Sequence, residues 1–379
     1  MRRRGWSLAR FRAVLVKEFI QLFRDRLTFA MMVGVPVMQL ILFGYAINAD
    51  PRSLPTAVVL GDSGTFARSI VRALENTTYF QVVAWPDSPR QAGAMLARGE
   101  VQFVIDIPVD FTRQLQRGER PAILVEADAT DPVATGNALA ALSQLNQTAL
   151  SHDLTGPLAA LQPAEPPFEV RIHRRYNPEG ITEFNIVPGL IGTILTMTLA
   201  MMTGAAVTRE FERGTMENLL ATPVRPLEVM LGKIVPYVFV GFVQVGVILA
   251  TAVLLFQVPV LGSLSLLTLC VFLFIAANLA VGFTFSTLAH NQMQAMQMSF
   301  FFFMPSMLLS GFLFPFRGMP AWAQAIGELL PLTHFLRIVR GILLKGNGWA
   351  EVWPHIWPLV LFLLVVSAVA LKRYRQTLD

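Results

Sequence analysis

Polar and apolar positions along the chain fall into three regimes. From Leu8 to Arg26, the apolar residues Leu8, Phe11, Leu15, Phe19 and Leu22 recur at helical spacing, with Arg10, Arg12, Lys17 and Arg24 largely elsewhere. That pattern suits a helix lying on a membrane surface, residues 1–27 forming a basic amphipathic start; an amphipathic helix packed on protein has the same pattern. Residues 28–48 follow as an uninterrupted apolar run long enough to span a bilayer. Too long for a signal-peptide core and lacking a small-residue cleavage site, this run reads as a retained anchor.

The second regime, residues 49–182, alternates short apolar runs with helical patterns. TAVVL (56–60), YFQVVAW (79–85), VQFVIDI (101–107), AILVEAD (122–128) and FEVRIHR (168–174) read as strands. TFARSIVRALEN, SPRQAGAMLARGE, DFTRQLQRGE and a longer segment from Pro132 read as helices opening at Ser, Thr or Asp caps. Strands alternating with helices predict a small α/β domain, and the proline-rich LQPAEPPF (161–168) an extended linker.

Five further apolar segments form the third regime, at 183–207, 234–256, 264–289, 293–314 and 353–371. With the first, they predict a polytopic α-helical membrane protein with six transmembrane helices and an α/β domain inserted between spans one and two. Residues 315–348 are amphipathic and too polar to cross, so their two helical pieces, broken before Pro331, are expected at the outer surface or re-entering partway.

Composition sharpens this. Of 379 residues, 54% are hydrophobic and 15% charged, and no Asp, Glu, Lys or Arg occurs in the 83 residues between Lys233 and Arg317. A soluble fold needs a polar face on each surface helix, which such a run cannot supply. Eight Lys or Arg precede residue 28, four lie in the 208–233 loop, and Lys372, Arg373 and Arg375 lie in the tail 372–379. The positive-inside rule places all three in the cytoplasm and residues 49–182 outside, in the periplasm. The domain's own 11 basic residues do not oppose this, because long translocated domains escape the rule. The lone Cys270, inside an apolar run, reads as a buried structural thiol.

The sequence carries no phosphate loop of the GxxxxGK[ST] form, Gly232-Lys233 being followed by Ile within a helical pattern. His152, His173, His290, His334 and His355 show no metal-ligand spacing, and His334 reads as an interfacial polar residue. Met293, Met296, Met298, Met304 and Met307 suit adaptable apolar filler better than a soft-metal path. No catalytic, cofactor or metal site is expected, nor any nucleic-acid partner. Asp62, Asp106, Asp110, Asp128 and Asp131 lie at strand ends and helix starts, where capping is the simplest role. The span cores also lack Asp and Glu, with Glu183 and Glu351 only at edges. Ion-coupled carriers commonly bury such a carboxylate, so energy is expected from a partner. Gln244, Asn278, Thr284 and Ser286, polar within spans, are candidate path residues, though interhelical hydrogen bonding explains each as well.

The loop REFERGTMENLLATPVRPLEVMLGK, Arg209 to Lys233, is the most distinctive segment. Gly214 breaks the chain, Thr215 can cap a short helix, Glu217 sits in its first turn where the dipole favours an anion, and Pro223 stops it. Pro226 suits the first position of a helix running into the next span. Such a charged peg fits docking on a cytoplasmic partner; a solvated connection would look similar.

The pattern RExExGTMExLLxTPxxPxExxxGK, continuing into IVPY, resembles the signature loop of ABC-2 type permeases. PLTHFLRIVRGILLKG near the end is similar to that family's pattern after span five. The resemblance implies the permease half of an ATP-driven exporter in a bacterial inner membrane; the uncharged spans suit drugs or other amphipathic molecules as cargo, with polysaccharide export also open. ATP and Mg would be held by a separate ABC ATPase subunit. It implies a coupling helix with Arg209, Glu210, Glu212, Gly214, Thr215, Met216 and Glu217 against that ATPase, and a second docking surface with Arg12, Lys17, Glu18 and Arg24. It further implies pairing with a second permease copy, as homodimer or sister heterodimer, and contact of the external domain with a periplasmic membrane-fusion adaptor. Against this stand a membrane scaffold or receptor and an ion-coupled carrier, neither of which explains the loop.

Overall fold

A computed structural model describes residues 51–150, 153–154, 166–212 and 226–376. The amphipathic start, the first apolar run, most of the linker and residues 213–225 of the loop lie outside the described residues.

The α/β region is one five-stranded mixed sheet of order β2-β1-β3-β4-β5. Its strands are β1 (Leu54–Leu60), β2 (Phe80–Ala84), β3 (Phe103–Ile107), β4 (Ala122–Asp128) and β5 (Glu169–Arg175). Only β3 and β4 run antiparallel, with Ile105 opposite Val125. Its helices are α1 (Thr65–Asn76), α2 (Pro89–Arg98), α3 (Phe111–Gln116) and α4 (Pro132–Thr148). Alternation along the strands decides which face each helix covers. Val58, Phe103, Ile105 and Val125 face α1, α3 and α4, meeting Phe66, Ile70, Phe111 and Leu142. Ala57, Val59 and Val104 face Ala92 and Leu96 of α2.

Four of the expected caps are corrected: Asp106 lies within β3 and Asp128 ends β4, where neither caps a described helix, and two more fail at helix starts. Neither Thr65 nor Asp110 caps a helix: α1 starts after Gly64, and Asp110, at φ 63°, makes no side-chain cap. Instead Asp62, in the β1–α1 loop, accepts from the backbone N–H of Gly64 (2.7 Å) and of Thr112 in α3 (2.5 Å), closing two helix starts at once. Burial raises the Asp62 pKa, but those donated N–H groups outweigh it, so the carboxyl sits below its usual range. Ser88 and Asp131 do cap, at α2 and α4.

The remaining helices are α5 (Thr182–Glu212), α6 (Pro226–Leu254), α7 (Leu264–Leu288), α8 (Gln292–Leu309), α9 (Ala321–Leu329), α10 (Pro331–Arg340) and α11 (Trp349–Gln376). Among the described residues, four helical stretches are long and apolar enough to cross a membrane: Thr182–Ala206, Pro236–Leu254, Leu264–Leu288 and Trp349–Arg373. The fifth expected span, 293–314, forms the 18-residue α8, which opens on the polar run QMQAMQ and ends at Leu309. Those stretches of α5 and α7 are 61% and 50% buried, those of α6 and α11 only 17% each, so α5 and α7 form the centre of the bundle.

Between α8 and α11, the amphipathic segment packs into that centre. Pro331 to Leu336, Ile338 and Val339 of α10 are all buried. Phe335 stacks on Phe274 of α7, ring centroids 4.0 Å apart. This needs a small residue on α5: a Cβ on Gly192 would lie 2.6 Å from a Leu332 methyl. Five residues in a π-helical turn, Gly341–Lys345, then lead to α11.

Candidate functional site

Three places concentrate polar groups that the packing alone does not require. The first is the end of α5 that leads into the loop. Arg209 Nε donates to Gln292 Oε1 at 3.2 Å. Glu212 accepts from both the backbone N–H (2.8 Å) and the side-chain amide of Gln292. Gln292 opens α8 just after its cap Asn291, so the Glu212 carboxylate sits at a helix N-terminus, where the dipole favours an anion. Of the residues read as a coupling helix, Arg209 and Glu212 are thus drawn together by Gln292, which the sequence pattern did not single out. The side chain of Glu210, and Gly214, Thr215, Met216 and Glu217, lie outside the described residues, as do Arg12, Lys17, Glu18 and Arg24. Pro226 begins α6.

The second is the bundle interior. Gln244 Oε1 of α6 accepts from the Thr198 hydroxyl of α5 at 3.0 Å, so it joins two helices. Asn278, Thr284 and Ser286 all lie on α7 and donate to carbonyls of their own helix, Phe274, Ala280 and Phe283. Asn278 is fully buried, and its Oδ1 has no partner among the described residues. These four residues do not converge on one point through hydrogen bonds. Ser299 of α8 makes a further cross-helix contact, donating to the Ala200 carbonyl of α5 at 3.2 Å.

The third, absent from the sequence reading, is the junction between the sheet and the helices. Asn177 holds the turn from β5 into α5: its amide donates to the Ile181 carbonyl (2.8 Å) and accepts from the Ile181 N–H (2.9 Å). Lys345, at the end of the π-helical turn, forms an ion pair with Asp128 at the end of β4, and lies over the Tyr176 ring. The Asn347 amide donates to the Ala97 carbonyl of α2 at 3.0 Å. Arg340 donates to the carbonyls of Gly311 (3.1 Å) and Asn185 (3.4 Å), and Asn185 in turn donates to Asp131 (3.4 Å). Burial raises the Asp131 pKa, Arg340 only partly offsetting it. A cavity of about 200 Å³ lies among these groups. Its polar lining has no pattern in sequence because residues 97–131 and 310–355 meet only through the fold.

A family model described as ABC-2 family transporter protein matches residues 26–372. The chain belongs to the ABC-2 transporter family. Its relatives include a probable multidrug ABC transporter permease, YbhS, of Escherichia coli K12, 31% identical over 96% of this chain and 94% of that protein. An inner membrane transport permease, YhhJ, of the same organism is 29% identical over 90% and 93%. ABC transporter G family member 20 of Dictyostelium discoideum is 25% identical over 95% of this chain but 50% of its own length. This ABC-2 chain therefore unites apolar helices of spanning length with an α/β sheet region, as its sequence pattern requires.

Proposed function

We propose that this chain is the permease subunit of an ATP-driven exporter, acting with a separate ABC ATPase and a second permease copy, identical or a sister chain. The observation that carries the proposal is the family match from residue 26 to 372 around the charged loop 209–233. The multidrug and inner-membrane permease names of its relatives support drugs or other amphipathic molecules as cargo and a bacterial inner membrane as location. A span region without formal charge from Ile234 to Phe316 fits such cargo.

In this proposal the chain crosses six times, with residues 28–48 as the first span and the 292–309 helix among the others. Both termini lie in the cytoplasm and residues 49–182 in the periplasm, where the α/β domain contacts an adaptor. ATP and Mg stay on the partner. Arg209, Glu210, Glu212, Gly214, Thr215, Met216 and Glu217 meet it, with Arg12, Lys17, Glu18 and Arg24 as the second surface. ATP binding closes the partner dimer and shifts the permease from inward to outward access.

The contacts suggest how that movement travels. Glu212 and Arg209 are tied to Gln292, so a push on the loop moves α5 and α8 together. Central α5 carries α10, which is stacked on α7 through Phe335, and Lys345 beyond α10 holds the α/β domain.

The test is co-purification of the tagged full chain from membranes, with and without Glu210→Lys and Glu217→Lys together. An ATPase that accompanies the wild type and is lost from the folded double variant supports the proposal. An ATPase absent from both rejects it.

A further inference from the structure

The cavity at the junction gathers charged groups of both signs. Arg98, Arg317, Arg337, Arg340 and Lys345 line it, against Asp128, Asp131 and Glu351. Three of the cations are engaged: Lys345 with Asp128, Arg337 with Glu328 and Arg98 with Glu100. The other two form no ion pair, although Asp131 and Asp128 act on Arg340, and Glu328 on Arg317, at longer range. Arg340 spends its contacts on two backbone carbonyls, and its buried Nη2 has no partner among the described residues. Arg317, in the turn Phe316–Gly318, has no ion pair or side-chain hydrogen bond among the described residues. A guanidinium N–H left unmade in a buried place is costly, and two planar forks of donors suit the oxygens of a phosphate or carboxylate.

The depth of the cavity is marked independently. Trp349 and Trp353 on α11 lie with ring centroids 5.6 Å apart and are half exposed, and Trp322 is exposed on α9. Exposed tryptophans gather where bilayer meets water, at the level of lipid head groups. Glu351, Val352 and His355, which line the cavity, come from the same two turns of α11 as the Trp pair. Phe316, Leu336 and Val352 add an apolar part to the wall, and Ile326 and Leu329 of α9 expose apolar surface.

We propose that this cavity is an oxyanion site that receives the phosphate or carboxylate head group of an amphiphile, with Arg317 and Arg340 as the receiving cations. Charge selects the head group, and the small volume admits that group while the apolar tail stays outside. The site needs no ATPase, so its failure would leave the export proposal standing.

The experiment follows thermal unfolding of the purified full chain in a zwitterionic detergent as phosphatidylglycerol, phosphatidylcholine or inorganic phosphate is added. Phosphatidylglycerol is expected to raise the midpoint saturably and phosphatidylcholine not to. Arg317→Gln, at an exposed position, is expected to weaken the apparent affinity by about tenfold or more, as for a lost charge-assisted hydrogen bond. Arg317→Lys should recover part of it. If inorganic phosphate alone gives the same Arg317-dependent shift, the site stands and its ligand is the free ion. Equal shifts with both lipids, no shift with either anion, or a shift that Arg317→Gln leaves unchanged would overturn the proposal. Arg340→Gln is informative only where size-exclusion shows the wild-type profile, because Arg340 also braces α5 and the α8–α9 connection.

Discussion

Lys345 and Asp128 form an ion pair across 217 residues of sequence, each side chain only 9% exposed, joining the end of the segment after α10 to the end of β4. Asp128 also accepts from the Thr130 hydroxyl at 2.8 Å, so its carboxylate is held on two sides. Such a pair contributes little beyond an apolar replacement, but removing one partner strands a buried charge.

Lys345→Met is therefore expected to destabilise the junction by about 3–5 kcal/mol, and Asp128→Asn added to it to recover much of the loss. Limited proteolysis between the sheet and α5, read with thermal unfolding of the full chain, checks this. A double variant as labile as the single would show that the pair does not hold the junction.

Helix packing in the bundle depends on close approach at Gly282. A Cβ there would lie 2.7 Å from the Ala200 carbonyl oxygen of α5, whereas at Gly246 nothing lies within 4 Å. Gly282→Ala should cost about 1–3 kcal/mol through overpacking. Gly246→Ala should be neutral or slightly stabilising in a helix interior. Equal unfolding midpoints for the two variants would contradict close packing of α5 on α7.

Asp62 sets a pH dependence of known sign. Its folded pKa lies below the 3.8 of an unperturbed group, so the stability it contributes is fully present above about pH 5 and is lost as pH falls through the folded value. Asp62→Asn should weaken both helix starts by about 0.5–2 kcal/mol at neutral pH and flatten the acid response. Hydrogen exchange of segments 62–66 and 110–116, measured at pH 7 and near pH 3, tests this; a variant with the wild-type acid slope would exclude Asp62 as its source.

At the loop end, Glu212→Ala removes both acceptors from Gln292, while Gln292→Ala leaves the backbone donor in place. Exchange at residues 292–296 should rise about tenfold in Glu212→Ala, the scale of one charge-assisted hydrogen bond, and less in Gln292→Ala. No change in either would mean that α5 and α8 are not tied there.

Much of the α/β region was legible, since period-two and helical patterns are local. β4 occupies Ala122–Asp128 and α1 Thr65–Asn76 in pattern and structure alike. Caps were less legible: Thr65 and Asp110 have the right chemistry at the right offsets, but Asp62 reaches Thr112 across 50 residues. The antiparallel pairing of β3 with β4 depends on register between strands, which composition does not state. The loop stands out in sequence by its motif, whereas the engagement of Arg209 and Glu212 with Gln292, some 80 residues on, has no local signature. The Lys345 to Asp128 junction has no local signature at all, because each residue alone resembles an ordinary solvated charge.

The most direct measurement is uptake of a fluorescent amphipathic drug into inside-out membrane vesicles containing the full chain with its co-purified ATPase. Uptake that requires ATP hydrolysis, persists when ion gradients are collapsed, and is lost in the Glu210→Lys, Glu217→Lys variant is the expected result. Uptake that continues with a non-hydrolysable ATP analogue, or that stops only when the ion gradient is dissipated, would contradict an ATP-driven permease.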